Sequence, residues 1–263
     1  MPEGHTIHRL ARDQRADLAG QRIHAVAAQE RFAEGVARLD GATLRRVEAW
    51  GKHSFHWWDN GDVLHVHLGL IGKWFRYPTP APEAVGALRL RLEGPEQAWD
   101  LRGPMICRLI SPPERDAVVA GIGPDPLRRD ADPERMWARL QRSSKPIGAL
   151  LLDQSVVAGI GNVYRAELLN IVGVDPRRPG NQVLRDEFDD LWAETVRQLR
   201  LGVRRNKIVT MDQSELKRPI SKLARGEGRY VYHQTHCGRC GTELVLLEVA
   251  ARAMATCPTC QPH

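Results

Sequence analysis

The hydrophobic positions at the start of the chain follow the period of an α-helix. They predict a helix over residues 5–18, and Gly20 is placed to end it. The apolar positions are Ile7, Leu10, Ala11 and Leu18, with Gln14 as the polar exception. In front of this helix stand Pro2, Glu3 and Gly4, which bring a stiff backbone, a carboxylate and room for a close approach. The pattern leaves open whether this end of the chain is frayed or functional.

A different pattern follows, in which apolar and polar residues alternate. Residues 21–101 are therefore predicted to form strands and turns. A turn at Asn60 and Gly61 separates the segments SFHWW and VLHVHL, which predicts a hairpin. In the second segment His65 and His67 share the face opposite the apolar residues. Two histidines on one face are compatible with a metal site, but no third ligand is evident, so we expect them to be polar partners on the sheet surface.

A proline-rich and charged segment interrupts the strands and marks the best domain boundary. It runs from Gly123 to Pro133. Beyond it the pattern is helical, and from about Arg229 it returns to short strands bracketed by cysteines. The predicted helices cover residues 133–141, 147–152, 163–171 and 185–201. The three predicted domains cover residues 1–125, 126–228 and 229–263.

Length and charge narrow the classes of protein to which the chain can belong. Its 263 residues are enough for a large core and more than one domain. No apolar segment is long enough to cross a membrane and no signal-peptide pattern stands at the start, so we expect a cytoplasmic protein without a membrane partner. The net charge of +6 favours a polyanionic partner. Residues 201–230 hold eight basic and three acidic residues, which suits either a solvated face or a phosphate-binding surface.

Four of the five cysteines are spaced as metal ligands. Cys237 and Cys240 form one Cys-x-x-Cys pair, Cys257 and Cys260 form another, and sixteen residues separate the pairs. Two thiolates on each of two tight turns can complete the tetrahedral coordination of Zn²⁺, which leaves no open position for catalysis. One alternative is a disulfide framework, but that is typical of small secreted chains. Another is an iron–sulfur cluster, but its cysteines have other spacings. We therefore predict one structural zinc ion, and we expect Cys107 to be a small buried residue.

A glycine turn in the helical region is a second candidate for binding an anion. The turn GIGN ends at Asn162 and separates an apolar segment from the helix that begins near Val163. At such a turn free backbone N–H groups point outward, and Asn162 adds a side-chain donor. Glycine turns between helices are common without a ligand. Next to a basic, cysteine-rich segment, however, this turn favours contact with a nucleic-acid backbone.

Six segments of the chain occur together in an order that is specific to one protein family. They are MPEG at the start, Gly51-Lys52 before the hairpin, HLGLIG at residues 67–72, GPDPL at residues 123–127, LLLDQSVVAGIGNVYRAELL, and the closing pairs of cysteines. Over essentially its whole length the chain resembles the formamidopyrimidine-DNA glycosylase/endonuclease VIII family. The PEG start is nearer to the endonuclease VIII branch, and MPEGHTIHRLAR, WGKHSFH and HVHLGL look most like a second endonuclease VIII type found in actinobacteria.

The resemblance implies an α+β fold and a catalytic N-terminus. The fold would consist of an N-terminal β-sandwich with a leading helix, followed by a helix-two-turn-helix domain and a zinc ribbon. The resemblance also implies that Met1 is removed and that the secondary amine of Pro2 attacks C1′ of a damaged nucleotide. Glu3 matches the acid that protonates the sugar ring oxygen, and Lys52 matches a hairpin lysine that reaches the phosphate and sugar of the lesion. By themselves these two residues would be read as a helix-dipole glutamate and a solvated lysine.

The resemblance further implies a set of DNA contacts. Asn162, in the turn formed with Gly161, matches a phosphate-binding asparagine, and Arg252 matches a zinc-ribbon arginine that holds the phosphates around the extruded nucleotide. Leu70 matches a residue that fills the space this nucleotide leaves in the helix. As bare sequence features, Arg252 would be a surface arginine and Leu70 an ordinary hydrophobic residue on a strand.

The implied function is that of a bifunctional DNA glycosylase/AP lyase of base excision repair. It would excise oxidised bases, with a preference for pyrimidines, through a Schiff base at Pro2. It would then cleave the strand by β,δ-elimination. One alternative is the same fold with a preference for oxidised purines or single-stranded lesions. Another is a non-catalytic zinc-ribbon protein that only binds damage. The expected partner is damaged DNA, bound by a monomer with one structural zinc ion.

Overall fold

The predicted N-terminal helix forms and ends where the sequence places its stop. The computed structural model describes the chain at residues 2–28, 30–224 and 226–262. Helix α1 spans Gly4–Leu18, and Gly20 follows with a φ of 80°. The polar exception, Gln14, is buried and its Oε1 lies 3.0 Å from Nε2 of His56. A hydrogen bond therefore pairs the amide oxygen of this side chain inside the apolar face of the helix.

The structure divides into two compact units, Met1–Gly121 and Ile122–His263. The strands of the first unit are β1 His24–Val26, β2 Leu44–Trp50, β3 His53–Trp58, β4 Val63–His67, β5 Lys73–Pro78, β6 Leu88–Glu93, β7 Gln97–Arg102 and β8 Ile106–Ile110. Over the described residues they form two four-stranded antiparallel sheets, in the orders β1-β6-β7-β5 and β2-β3-β4-β8. Residues of α1 and of both sheets share one apolar core, as Ile7, Leu64 and Leu90 show. This arrangement confirms the predicted sandwich with a leading helix.

One expectation for the first unit is wrong. Residues 21–101 do not consist of strands and turns throughout, because helix α2 spans Ala33–Leu39. Its two turns are too short to produce a distinct period in the sequence. Gly35 allows the Phe32 ring to lie against this helix, since a Cβ there would come within 2.3 Å of the ring. The predicted hairpin of β3 and β4 is confirmed, and helix α3 follows β8 at Pro112–Ala120.

The second unit is helical, as the sequence predicts. Its helices are α4 Pro133–Gln141, α5 Ile147–Leu150, α6 Asn162–Val172 and α7 Arg185–Arg205. Antiparallel strands β9 Val245–Glu248 and β10 Ala253–Thr256 form the expected hairpin between the cysteine pairs. Helix residues such as Tyr164 and Phe188 share a core with Met254 and Cys257, so this hairpin packs on the helices. The finer division of this unit at residue 229 remains a prediction.

No helix among the described residues has the combined length and apolar character that a membrane crossing requires.

Candidate functional site

The N-terminal end holds a carboxylate that is withdrawn from solvent. Pro2 is half-buried and Glu3 is 0% exposed, directly before the first turn of α1. The Glu3 carbonyl accepts a hydrogen bond from the Thr6 N–H at 2.9 Å, but the Glu3 side chain does not cap the helix. A simple role as a helix-capping glutamate therefore does not explain its burial. Met1, whose removal is predicted, lies outside the described residues.

Lys52 lies in the two-residue turn between β2 and β3. The pairing of the two strands continues as far as this turn, where Trp50 lies opposite His53. Gly51 adopts a φ of 56°, which favours glycine. The positive charge of Lys52 contributes to lowering the pKa of His53 and of His67, after the larger effect of burial. Lys52 is therefore held at the edge of a sheet, close to these imidazoles.

Leu70 lies in a loop rather than on a strand. It follows β4 and is 64% exposed, next to Ile71 at 77%. Two glycines shape this loop: Gly69 has a φ of 66°, and Gly72 donates its N–H to the Leu68 carbonyl at 3.0 Å. The loop thus presents two large apolar side chains to solvent, an arrangement that is costly in water and suited to insertion into an apolar environment.

In the second unit the glycine turn leads directly into α6. Gly161 is the N-cap residue and Asn162 the first helical residue. The side chain of Gln154 supports the turn, since it accepts from the Gly159 N–H at 3.0 Å and donates to the Ile160 carbonyl at 3.0 Å. The start of α6 is therefore held in place from inside the turn, as a site for anions at a helix N-terminus requires.

A buried arginine joins the two predicted phosphate contacts of this unit. Arg165 is 0% exposed, and its Nε donates to Asn162 Oδ1 at 2.9 Å. The same guanidinium donates to the carbonyls of Val249 at 3.1 Å and of Arg252 at 3.4 Å, in the turn of the β9–β10 hairpin. Asn162 itself donates to the Ala253 carbonyl at 3.2 Å. Asn162 and Arg252 are thus fixed relative to each other by one side chain that the sequence pattern does not single out.

The four predicted metal ligands converge. The sulfur atoms of Cys237, Cys240, Cys257 and Cys260 all lie within 4.8 Å of one another. Sulfur atoms around a tetrahedral zinc ion would be about 3.8 Å apart, given Zn–S bonds of about 2.3 Å. The distance from Cys237 Sγ to Cys260 Sγ is 4.0 Å, and that from Cys240 Sγ to Cys257 Sγ is 3.4 Å. The cluster therefore has the size and donor set of a four-coordinate metal site.

Among the described residues, other nucleophilic or metal-ligating groups do not form a comparable site. Burial of its thiol group raises the pKa of Cys107 to about 12, so the thiol is protonated at neutral pH, although the residue is half-buried and not fully buried as expected. Within the described parts of the chain, the cysteine cluster is the group of three or more Cys, His, Asp or Glu side chains whose ligand atoms converge. His65 instead lies 2.8 Å from His53, nitrogen to nitrogen, which supports the expectation of a polar partner on the sheet.

A second buried residue that the sequence pattern does not reveal is Glu167. Its carboxylate accepts hydrogen bonds from the N–H groups of Tyr230 at 2.7 Å, Val231 at 2.9 Å and Tyr232 at 2.7 Å, and from the Thr210 hydroxyl. It thereby joins α6 to Thr210, within the basic segment, and to the C-terminal end of that segment. Arg225 of that segment lies outside the described residues.

Comparisons with known proteins agree with this geometry. Two family models match the chain: the formamidopyrimidine-DNA glycosylase N-terminal domain over residues 1–104 and the formamidopyrimidine-DNA glycosylase H2TH domain over residues 122–214. Endonuclease 8 1 of Mycobacterium tuberculosis is 43% identical over 267 residues, which cover 99% of this chain and 100% of that protein. Probable endonuclease 8 2 of Streptomyces coelicolor is 31% identical over 276 residues, covering 99% and 94%.

A solved structure resembles the whole chain. The crystal structure of Lactococcus lactis Fpg (MutM) with DNA that contains N7-benzyl-Fapy-dG superimposes with a TM-score of 0.83 at 25% identity, and each chain is covered completely. The fold and the residue groups described above define a DNA-repair enzyme of the glycosylase class. The chain belongs to the formamidopyrimidine-DNA glycosylase/endonuclease VIII family, whose members are DNA glycosylases and AP lyases of base excision repair. The family resemblance seen in the sequence is thereby confirmed.

Proposed function

We propose that this protein excises oxidised bases, preferentially pyrimidines, from DNA through a Schiff base at Pro2 and cleaves the strand by β,δ-elimination. The start of α1 carries this proposal. There a fully buried carboxylate, Glu3, follows the proline and does not cap the helix. A role as a catalytic acid beside the N-terminal amine explains why this carboxylate is buried, whereas packing alone does not.

The chemistry follows from the amine that removal of Met1 would create. An α-amino group titrates near 7.7–8.0, so a useful fraction is unprotonated at neutral pH. Attack of the Pro2 nitrogen on C1′ displaces the base, and breaking of the C1′–O bond of the sugar ring then gives an iminium ion, which withdraws electrons from the sugar. Glu3 protonates the sugar ring oxygen as the ring opens and serves later proton transfers. Successive eliminations then break the C3′–O and C5′–O bonds, which releases the sugar remnant from the strand.

The remaining site residues are proposed to bind the DNA. Lys52 contacts the phosphate and sugar of the lesion, while Asn162 with Gly161, and Arg252, hold phosphates near the extruded nucleotide. The exposed side chain of Leu70 fills the space in the base stack. The fixed spacing that Arg165 gives to Asn162 and Arg252 supports a role for both in binding one phosphate backbone.

The metal is proposed to be one structural zinc ion. Four cysteine sulfurs within 4.8 Å of one another suit zinc, and they leave no ligand position for substrate. When bound, the ion stabilises the hairpin that carries Arg252.

Borohydride reduction tests the covalent step directly. The processed protein, incubated with abasic-site DNA and borohydride, is expected to form a trapped complex at a ratio close to one to one. Pro2→Gly, and a form extended by one residue before Met1, are expected to trap weakly or not at all. His24→Ala, which changes an exposed histidine of the same unit, serves as the control. Absence of trapping by the processed protein would contradict the proposal and favour a protein that only binds damage.

Base preference and the course of elimination need separate measurements. A panel of duplexes and single strands with oxidised pyrimidines or purines is expected to show the highest single-turnover rate for a pyrimidine lesion in duplex. Gel analysis of the product ends is expected to show a phosphate on both sides of the gap. A higher rate on oxidised purines or on single strands would replace the substrate assignment and leave the enzyme class intact.

A further inference from the structure

Three histidines gather beside Lys52 on one face of the sheet β2-β3-β4-β8. In the strand register His53 lies opposite His67, and Phe55 lies opposite His65. Paired residues point to the same side of a sheet, so the three imidazoles are neighbours. The His53 and His67 rings are 4.7 Å apart, edge to face, and the His53 and His65 rings are 5.1 Å apart and stacked.

This histidine cluster connects two parts of the unit that carry predicted DNA contacts. His53 directly follows Lys52, and its Nδ1 lies 2.8 Å from Nε2 of His65. His67 is the last residue of β4, and its Nδ1 accepts a hydrogen bond from the Gly69 N–H at 3.1 Å, one residue before Leu70. One set of ring contacts therefore runs from the Lys52 turn to the start of the Leu70 loop.

The surroundings keep the cluster uncharged. Burial, together with the charges of neighbouring groups, lowers the pKa of His53 to about 3 and that of His65 to about 4. The neighbours that contribute are His67, His65 and Lys52 for His53, and Lys52 for His67. For His65 they are Arg108, on β8, and His67. From α3, Arg115 lies over the Phe55 ring and pairs with Glu48. Neutral rings can pack closely, whereas protonated ones would repel one another and Lys52.

We propose that His53 is a positioning residue: it fixes the Lys52 turn to the start of the Leu70 loop, so that the charge of Lys52 and the apolar side chain of Leu70 keep one separation when DNA binds. This inference rests on the DNA-binding roles proposed above for Lys52 and Leu70. The ring contacts hold the backbone from which the Lys52 side chain extends, so less conformational entropy is lost when the turn and the loop bind DNA together.

A double-mutant cycle tests the inference. The affinity for abasic-analogue duplex is measured over a series of salt concentrations for the wild type, His53→Ala, Lys52→Ala and the double variant. Lys52→Ala is expected to lower affinity about tenfold and to reduce the salt slope by about 1, as the loss of one phosphate contact does. His53→Ala is expected to lower affinity about three- to tenfold with a reduced slope, and the double variant to bind no more weakly than Lys52→Ala alone.

Further variants separate this role from a general effect on folding. His53→Phe keeps the ring contacts but removes the hydrogen bond to His65, so it is expected to give a smaller loss in the same direction, with the same lack of additivity. It also serves the test if His53→Ala is poorly folded. His24→Ala, an exposed histidine of the same unit paired with Asp40, is expected to leave the salt slope unchanged.

Each outcome decides between the inference and the proposal beneath it. If Lys52→Ala changes the slope but the losses from His53 and Lys52 multiply, the positioning role of His53 is wrong while Lys52 remains a DNA contact. A lower affinity of His53→Ala with an unchanged slope likewise contradicts the positioning role. If Lys52→Ala leaves both slope and affinity unchanged, the proposed contact of Lys52 fails, and the role of His53 fails with it.

Discussion

The two units of this protein hold their predicted DNA-binding and catalytic residues in different ways. In the first unit these residues lie where an element begins or the chain turns: Glu3 before α1, Lys52 in a two-residue turn and Leu70 in a loop. Glycines and neighbouring strand residues within a few positions shape these turns. Local sequence therefore decides much of the geometry of this unit.

In the second unit the corresponding residues depend on contacts between distant parts of the chain. Arg165 and Glu167, both on α6, bind segments that are more than sixty positions away in sequence. The cysteine cluster adds a further long-range link. Because a few buried groups carry these links, we expect single substitutions to disturb the second unit more than the first. The predictions below test this difference, from the largest expected effect to the smallest.

Loss of one metal ligand should have the largest effect. Cys257→Ser removes one of four thiolates, and zinc binding is worth about 10–16 kcal/mol to isolated zinc fingers. We expect the hairpin of β9 and β10 to unfold, zinc to be lost, and affinity for damaged and undamaged DNA to fall by at least about 100-fold. Metal analysis, hydrogen exchange and binding measurements check this. Cys107→Ser, which changes a cysteine of the first unit, is the control and should retain zinc.

Substitution of the buried carboxylate of α6 should have the next largest effect. In Glu167→Gln one amide oxygen replaces two carboxylate oxygens, so backbone N–H groups among residues 230–232 lose their acceptor. We expect a loss of about 3 kcal/mol in the free energy of unfolding of the second unit. Thr210→Val removes only one donor to the same carboxylate and should cost about 1 kcal/mol. The free energy of unfolding is measured with denaturant. Equal losses in the two variants would show that the second carboxylate oxygen of Glu167 does not stabilise this unit.

Substitution of the arginine that joins the phosphate contacts should weaken binding and stability by similar free energies. Arg165→Met keeps most of the apolar stem but leaves Asn162 and the carbonyl of Arg252 without the guanidinium. We expect a loss of about 2 kcal/mol in unfolding free energy and a drop of about 30-fold in affinity for any duplex. Arg185→Met, an exposed arginine of α7 paired with Glu134, is the matched control and should bind like the wild type. If both variants bind equally well, the link between the two contacts is unimportant.

The same difference between the units determines how far the sequence alone could predict the structure. Hydrophobic periods and turn residues predicted α1, the hairpin of β3 and β4, and the helices of the second unit, because these features depend on neighbours along the chain. Helix α2 was not predicted because its two turns are too short to establish a period.

For the candidate site, prediction from the sequence is limited because single side chains bind partners that are distant along the chain. The spacing of the cysteines predicted their convergence, since two tight turns must face each other to share a metal. Nothing in the sequence pattern indicates that Arg165 and Glu167 point inward, because charged residues on a helix usually face solvent. Only their distant partners, which the fold brings together, explain their burial. The resemblance to a family indicated the residues that we propose to contact DNA, but not those that hold them in place.

The smallest effect, counted for each pH unit, concerns the acid stability of the first unit. Burial lowers the pKa of His56 from its usual 6.5 to about 4, and its ring is 0% exposed beside Gln14. Above pH 6.5 His56 is neutral in both the folded and the unfolded state, so it does not make the free energy of unfolding depend on pH. Below pH 6.5 the unfolded chain binds a proton that the folded unit excludes, so the free energy of unfolding falls until about pH 4, where the folded state is protonated too. The slope approaches about 1.4 kcal/mol per pH unit for one such histidine.

Denaturant unfolding at pH 7.0, 5.5 and 4.5, with hydrogen exchange to assign the change to residues 2–121, measures this dependence. His56→Gln keeps a hydrogen-bonding side chain but cannot titrate, so its stability should be lower at pH 7.0 and fall less steeply with acid. The remaining slope should reflect His53, His65 and His67, whose pKa values are lowered in the same direction. An identical slope in His56→Gln and the wild type would mean that His56 already takes up its proton in the folded state, and that its burial does not make the first unit sensitive to acid.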